Sequence, residues 1–273
     1  MPSPRLVSIP AALLAAAAVA CAPDSGRSHS EQAFRWAGEV PAGGWVRVRD
    51  LNGSVRVARA PGSQVVITAT RKWRGRSPQR VRFVAERDAE GVTACALWGG
   101  DGECSPDRYE GTSRRRGGWL ERMFFKRSSV SVDYLVAVPA GVRVDARTVN
   151  GGVTIADVTS EVVARTTNGS ITLGTAGGRV SGRTVNGSVR ARLDGWRAGG
   201  AVELKTVNGS VTALLPADAS AEVALETTNG RVKSEFPVAV SHGDRRSLRG
   251  TLGGGGGRVA LETVNGSVTL GRL

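Results

Sequence analysis

A short motif, Thr-x-Asn-Gly, recurs six times in the second half of the chain and constrains its fold more than any other feature. A looser seventh copy, Asp50-Leu-Asn-Gly53, stands upstream. A fixed period in this range indicates similar units stacked on one another. The last spacing is two periods, so we expect one copy near Ser247, with Asp244 beside it, to have lost its motif. The asparagines of the six copies are Asn150, Asn168, Asn186, Asn208, Asn229 and Asn265, spaced by 18, 18, 22, 21 and 36 residues.

The residues around each motif alternate between two faces. In one copy Val162, Ala164 and Thr166 share a face before the motif, and Ile171 and Leu173 share a face after it. Alternation with period two, interrupted by Asn-Gly, indicates a strand, a sharp turn and a second strand. Asn and Gly fit such a turn because both tolerate positive φ.

Two all-β architectures are compatible with this pattern. Tandem β-hairpins are one, since Asn-Gly is a strong signal for two-residue hairpin turns. A parallel β-solenoid with coils of roughly 18 residues is the other, and we favour it because stacking explains why Thr, Asn, Gly and then Val or Ile recur in one register. The six motif asparagines would then form a hydrogen-bonded ladder along one corner of the stack.

The first 33 residues predict export. Residues 1–20 have the short charged start and small apolar run of a signal peptide, too short to span a membrane. The sequence Ala18-Val-Ala-Cys21 resembles a bacterial lipobox, which would make Cys21 the lipidated first residue, but it also fits an ordinary cleavage site. Residues 21–33 are small and polar, as in a tether. We expect an envelope protein, lipid-anchored in the outer membrane or periplasm, with Cys21 otherwise the simple mature N-terminus.

Two further cysteines, Cys95 and Cys104, flank a turn-rich segment. In an oxidising envelope they are expected to form a local disulfide. A metal site is not expected there, because the only histidines of the chain, His29 and His242, lie far away in sequence.

Residues 34–145 are β-rich but not cleanly periodic, and we interpret them as the start or cap of a solenoid formed by residues 146–273. A basic insert at 99–128 interrupts this first half. Strand-like segments begin at Trp45, Ser54, Val65, Val81 and Val130. A cap is needed because the terminal coil of a solenoid exposes unpaired backbone and core.

Over residues 38–273 the chain resembles the DUF4097 group of bacterial proteins, which are related to auto-transporter adhesin (head GIN) domains. The resemblance implies a right-handed β-helical fold and an exported or envelope location, and it implies no activity. The insert departs from the compact pattern of the group. The residues that carry the resemblance are Gly43-Gly44-x-Val46-x-Val48, Asn52-Gly53-Ser54-Val55-x-Val57, Val65-x-Ile67-x-Ala69, Tyr134-x-Val136-x-Val138-Pro139-Ala140-Gly141 and the repeated Thr-x-Asn-Gly-Ser-Val.

The net charge of +13 predicts attraction to polyanions and anionic membranes. The densest basic run lies in the insert and mixes cations with apolar side chains, a combination used at membrane interfaces. The expected partners are an anionic lipid or an acidic glycan, or an envelope protein, and not nucleic acid. The candidate contact residues are Arg114, Arg115, Arg116, Trp119, Phe124, Phe125, Lys126 and Arg127.

A second charged feature precedes the motif threonines. In a stack these side chains would project from one wall, where they are either screened by neighbours such as Glu203 or bind an extended anion. The residues are Arg147, Arg165, Arg183 and Lys205, followed by Glu226 and Glu262.

No catalytic constellation is evident, and no cofactor is expected. Enzymes of acidic polysaccharides need clustered carboxylates or a basic residue in a groove, whereas Asp157, Glu161 and Asp194 are scattered here. The sequence favours a non-enzymatic, lipid-anchored, adhesin-like or scaffold protein that presents an interaction surface. The alternatives are a structural envelope protein that self-associates end to end and, less favoured, a polysaccharide-active enzyme.

Overall fold

The structure, a computed structural model, describes residues 28–74, 81–98, 102–110, 130–175, 177–197 and 199–273. Its described residues form 21 β-strands and no helix. Accordingly, none of them belongs to a helix that could cross a lipid bilayer. The strands are β1 Ser28–Gly38, β2 Trp45–Arg49, β3 Val55–Arg59, β4 Val65–Arg74, β5 Val81–Asp88, β6 Gly91–Trp98, β7 Ser131–Val138, β8 Arg143–Arg147, β9 Val153–Val158, β10 Val162–Arg165, β11 Ile171–Thr175, β12 Arg179–Arg183, β13 Val189–Arg192, β14 Ala201–Asn208, β15 Val211–Leu215, β16 Ala221–Asn229, β17 Val232–Ser234, β18 Val238–Gly243, β19 Ser247–Leu252, β20 Arg258–Asn265 and β21 Val268–Arg272.

The strands form two large sheets. Sheet A has the order β1-β4-β7-β3-β9-β11-β13-β15-β21-β17, and sheet B has the order β18-β19-β16-β20-β14-β12-β10-β8-β2-β6-β5. At every Asn-Gly, the preceding strand lies in sheet B and the following strand lies in sheet A. We call such a strand–corner–strand unit a rung. The hairpin alternative is wrong, because the two strands of a rung pair with equivalent strands of neighbouring rungs and not with each other.

Parallel pairing keeps like residues in register. In sheet B Val162 pairs with Val144 on one side and Val180 on the other, and in sheet A Ile171 pairs with Val153 and Val189. These inward side chains are at most 1% exposed. Burial of one Val, Leu or Ile side chain contributes roughly 1.5–3 kcal/mol, so the core between the two sheets is the main source of stability and the period-two pattern selects it.

The last copy of the motif stacks out of sequence order. Strand β20 pairs with β14 and with β16, so Asn265 lies between Asn208 and Asn229. The expectation of a degenerate copy near Ser247 is therefore wrong. Residues 247–252 form β19, which runs antiparallel to β16 and to β18 at one end of sheet B. The long spacing before Asn265 reflects this excursion and not a decayed coil.

The first copy of the motif, at Asn52, also stacks out of sequence order. Strands β2 and β3 lie between the rung of β6 and β7 and the rung of β8 and β9, and Asn52 bridges to Asn150. Beyond them, β4 and β1 in sheet A and β5 in sheet B are antiparallel. Residues 34–145 thus contribute both rungs and end strands to the same two sheets as residues 146–273.

Strand β1 begins inside the segment predicted to be a tether. Residues 28–33 pair antiparallel with β4, and the His29 ring stacks on the Trp73 ring with 5.2 Å between centroids. The predicted tether is therefore too long by these residues: their polar composition reflects an edge strand. The predicted signal peptide, Cys21 and the basic run 114–127 lie outside the described residues.

Candidate functional site: the corner and the two outer walls

The six motif asparagines form one continuous hydrogen-bonded column. Each side-chain amide donates from Nδ2 to Oδ1 of the next asparagine at 2.8 or 2.9 Å. Their order along the stack is Asn150, Asn168, Asn186, Asn208, Asn265 and Asn229. At the upper end the Nδ2 of Asn52 donates to the backbone carbonyl of Val130. The corner therefore presents a straight line of exposed amides beside the exposed side chains of Val149, Val185, Val207 and Val264.

The threonine and glycine of the motif make this close stacking possible. The Thr184 hydroxyl donates to the carbonyl of Gly169 in the neighbouring rung at 2.9 Å, and the other motif threonines make the same contact. Gly187 has φ +152°, and a Cβ on it would lie 2.1 Å from the Gly169 oxygen. Only glycine fits there, since both the backbone conformation and the available space exclude a side chain.

One rung carries aspartate in place of the threonine. Asp50 follows the Arg49–Arg147 pair, so it occupies the position of Thr148 in the next rung. It is 1% exposed, and neither carboxylate oxygen has a hydrogen-bond partner within the described residues. Burial raises the pKa of Asp50 to about 7, although the N–H groups of Leu51, Asn52 and Trp98 lie near enough to lower it somewhat. The indole nitrogen of Trp98 and the Tyr134 hydroxyl are likewise buried without a partner in the described chain.

We expect Asp50→Thr to stabilise the protein above pH 7. Because the folded-state pKa of Asp50 lies above its ordinary value of 3.8, the folded state holds this proton to higher pH, and stability falls as pH rises from about 4 to about 7. Threonine removes this charge and can donate to the Val132 carbonyl, the equivalent of the Thr148 contact. The gain should be about 4 kcal/mol at pH 8, measured by urea unfolding at several pH values.

The reverse exchange, Thr184→Asp, supplies the matched control for this prediction. It should introduce a new loss of stability over the same pH range. A variant Asp50→Thr that keeps the wild-type pH slope between 4 and 7 would show that Asp50 does not titrate in this range.

Residues 102–110, which we call the flap, cover the outer face of β6. Cys95 and Cys104 form a disulfide, and the Tyr109 hydroxyl donates to the Ala96 carbonyl at 2.7 Å. The flap also buries Arg49, whose Nη2 donates to the Pro106 carbonyl and lies 2.7 Å from an Asp145 oxygen. Burial lowers the pKa of Arg49, and the Asp145 charge opposes that shift. The flap therefore removes Arg49 from the charged wall of sheet B.

The charged wall predicted from the sequence lies on the outer face of sheet B. Its order is Arg147, Arg165, Arg183, Lys205, Glu262 and Glu226. We call it the sheet-B column. Carboxylates on the same sheet neutralise much of its positive charge. Arg147 pairs with Asp145 at 2.7 Å, and Lys205 lies 3.3 Å from Glu203 and 3.0 Å from Glu262. The hydrogen bond to Glu262 raises the pKa of Lys205, so its ammonium group stays charged and paired.

Of the three remaining members of the sheet-B column, two are paired and, within the described part of the chain, one is not. Arg183 lies 3.5 Å from Glu203, and Glu226 is paired with Arg249 of β19. Arg165 is exposed and has no ion-pair partner among the described residues. Of the two alternatives that the sequence left open, screening by neighbours describes this wall better than a free line of cations.

A different line of cations crosses the outer face of sheet A, and three of them stand four residues after Asn52, Asn186 and Asn229, an offset at which the other copies carry Thr. Pairing aligns one outward residue from each strand into what we call the sheet-A column. Arg35, Arg56, Arg190 and Lys233 are its charged members, and all four are exposed. The full order is Arg35, Thr68, Leu135, Arg56, Thr154, Thr172, Arg190, Thr212, Thr269 and Lys233.

The described residues contain no group of three or more His, Cys, Asp or Glu side chains arranged to hold a metal ion. Of the scattered acids, Asp194 pairs with Arg192, Glu161 lies 4.0 Å from Arg143, and Asp157 is exposed in β9. What the described chain offers to a partner is therefore long, regular outer surfaces.

Three solved structures and one family model are similar to this chain. A solved structure of a candidate cell adhesion protein from Clostridium sporogenes shares 9% identity over 90% of this chain and 100% of its own, with a TM-score of 0.48. Candidate adhesins from Bacteroides fragilis and Parabacteroides distasonis share 11% and 8% identity, with TM-scores of 0.37 and 0.25; they cover 91% and 92% of this chain and 99% of their own chains. No curated protein is significantly similar in sequence. The family model described as Toastrack DUF4097 matches residues 125–271, more than half of the 273 residues, and the chain belongs to this family.

Proposed function

We propose that the protein is a non-enzymatic binding protein of the bacterial cell envelope, adhesin-like and anchored by a lipid on Cys21. The observation that carries the proposal is the pair of outer walls, on which stacking aligns side chains from up to eleven strands. Such a surface suits an extended partner, because each rung repeats similar chemistry one strand spacing further along. The proposal extends to this chain the adhesion role for which the C. sporogenes and B. fragilis proteins are named.

The same proposal includes a right-handed coil of roughly 18 residues for the central rungs. Successive rungs from β8 to β12 pair residues that are 18 apart, as Val144, Val162 and Val180 do. Parallel strands joined by crossover connections are right-handed in nearly all proteins, which supports this hand.

Export to an oxidising compartment is supported by the disulfide between Cys95 and Cys104, since disulfides persist in secreted and envelope proteins. Within that compartment we propose attachment to the outer membrane or a periplasmic membrane face through the Ala18-Val-Ala-Cys21 site. A lipid at Cys21 would leave a short tether before β1, which begins at Ser28.

The binding role is favoured over end-to-end polymerisation by the ends of the sheets. Antiparallel strands β1, β5 and β18 occupy three of the four ends, and the fourth is β17, which has only three residues. Short or irregular edge strands are how proteins discourage pairing with another copy. Apart from the three-residue β17, the parallel strands that could template another rung lie inside the two sheets.

The proposal is tested by lipid labelling and envelope retention of the full chain. Growth with an alkyne palmitate analogue should label the wild type and Ser25→Ala but not Cys21→Ser. Purified fluorescent chain should bind isolated envelope fragments saturably, whether or not Cys21 is present. An exported but unlabelled wild type would overturn the lipid anchor, and retention that does not saturate would overturn the binding function.

A further inference from the structure

We propose that the sheet-A column binds an extended acidic polysaccharide, with Arg35, Arg56, Arg190 and Lys233 contacting its anionic groups. This assignment rests on the proposed binding function and names the surface and the class of partner. It places anion binding on the wall opposite the sheet-B column, for which the sequence left anion binding as one of two alternatives.

The spacing of the four cations is regular. Arg56 is three strands from Arg35, Arg190 is three strands from Arg56, and Lys233 is three strands from Arg190. Strands in a sheet are about 4.8 Å apart, so neighbouring cations are separated by about 14 Å along one line. A straight polymer with sparse anionic groups can contact them in turn.

These cations are free to act on a partner. Within the described residues none of the four makes an ion pair or a side-chain hydrogen bond. The sheet-B column differs, because Arg147, Arg183 and Lys205 all have carboxylate partners within 4 Å. An exposed paired cation adds little attraction for a further anion, whereas an unpaired one keeps its full field.

Two of the acids that lie on or near sheet A are already engaged. Asp133 lies 2.6 Å from Lys72 and accepts from the Ser54 hydroxyl at 2.7 Å. Glu235 accepts from the backbone N–H of Arg272 at 2.9 Å. The charged members of the sheet-A column itself are therefore all positive, and Asp157, exposed at the end of β9, lies outside that column.

Hydroxyl groups fill the space between the cations. Thr154 and Thr172 lie between Arg56 and Arg190, and Thr212 and Thr269 lie between Arg190 and Lys233, all in the sheet-A column. Hydroxyls both donate and accept hydrogen bonds, as the hydroxyls of a sugar do. Several flanking outward positions of the central strands are small, whereas β13 and β15 carry Arg192 and Leu214 there. The small ones are Ala58, Ala156, Gly174, Ser170 and Ser188.

This chemistry favours a glycan over a membrane. Binding to a lipid surface relies on apolar side chains that enter the bilayer boundary as well as on cations. Leu135, 59% exposed, is the only large hydrophobic residue that stands exposed in the described sheet-A column. Nucleic acid carries phosphates far more densely than one charge per three strands.

The test measures binding of the full chain to hyaluronate oligosaccharides of increasing length, which carry one carboxylate per disaccharide, with neutral dextran for comparison. Affinity should rise with length until the oligomer spans the column and should fall with added salt. The double variant Arg56→Ser/Arg190→Ser should weaken binding about tenfold or more. The control, Arg183→Ser/Lys205→Ser on sheet B, removes two cations that already have carboxylate partners. It has the same change of net charge and should change affinity less than about twofold.

The variant Arg56→Lys/Arg190→Lys keeps both charges and should bind hyaluronate as the wild type does. All variants should melt at the wild-type temperature, which shows that any loss of binding comes from charge and not from unfolding. Equal weakening by the sheet-A and sheet-B pairs would show attraction to net charge alone and overturn the assignment. Anionic vesicles or DNA competing better than hyaluronate would overturn the class of partner. If no hyaluronate length binds while envelope fragments still retain the chain, the glycan assignment fails and the binding function stands.

Discussion

Gly187→Ala is expected to destabilise the protein by more than about 4 kcal/mol. The residue has φ +152°, and an added Cβ would lie 2.1 Å from the Gly169 oxygen of the neighbouring rung. Relief requires the two corners to separate, which would break the Asn186–Asn168 and Thr184–Gly169 hydrogen bonds at 2.9 Å. Urea unfolding followed by circular dichroism measures the loss directly.

Gly174→Ala is the matched control in the same repeat. Gly174 lies in β11 without positive φ, and a Cβ there would meet nothing closer than 3.8 Å. We expect its free energy of unfolding to change by less than about 1 kcal/mol. Similar losses for Gly174→Ala and Gly187→Ala would mean that the corner is not closely stacked.

Deleting residues 165–182 should leave a folded protein with one rung fewer. The deletion joins Ala164 to Arg183, and in the structure Ala164 pairs with Gly182 and Arg165 with Arg183, so the new junction connects equivalent positions. Asn186 can then stack on Asn150. Stability in stacked repeats is approximately a sum over rungs and their interfaces. A β-type circular dichroism spectrum and a cooperative melt at a lower temperature are therefore expected.

Deleting only residues 165–173 should instead prevent the chain from folding. It joins Ala164 in sheet B to Gly174 in sheet A without a corner, and it removes the buried side chains of Ile171 and Leu173. No connection of that length can cross the core, so we expect the cooperative melt to be lost. Equal tolerance of both deletions, or equal collapse, would show that the rung is not the structural unit.

The motif sequence was sufficient to predict what each rung looks like. Alternation placed Val162 and Ala164 inward, and the recurrence of Asn-Gly predicted a corner where like residues meet. These features are local, because they depend on the pleat of a strand and on the φ values that Asn and Gly allow. The DUF4097 resemblance is confirmed by the family match.

The order of the rungs could not be predicted in the same way. Each rung offers nearly the same chemistry above and below, so nothing in residues 258–272 specifies that they stack between Asn208 and Asn229. The 36-residue spacing was equally compatible with a decayed copy. The rung of β6 and β7 was also hidden, because residues 99–130 replace its motif.

The candidate binding surface could also be predicted only in part from the sequence. The charges before each motif threonine were visible in the sequence because they recur at a fixed offset, but the screening partners Asp145, Glu203 and Glu262 neutralise most of them. Arg56, Arg190 and Lys233 each stand four residues after a motif asparagine, but the other four copies carry Thr at that offset, so the charge does not recur from copy to copy. Arg35 has no such offset and joins the line only because the end strands β1 and β4 pair antiparallel.

The displaced rungs have a consequence for how the chain can be assembled as it is synthesised. Strands β16 and β17 leave the ribosome before β20 and β21, yet the later pair lies between them and β14 and β15. The strands therefore cannot pair in the order in which they are synthesised. A gap one rung wide must stay open, or reopen, until β20 and β21 are available to pair. Long-range pairing of this kind slows folding, and it makes completion of the stack depend on the final pair of strands, so that a chain cut short before residue 258 cannot close.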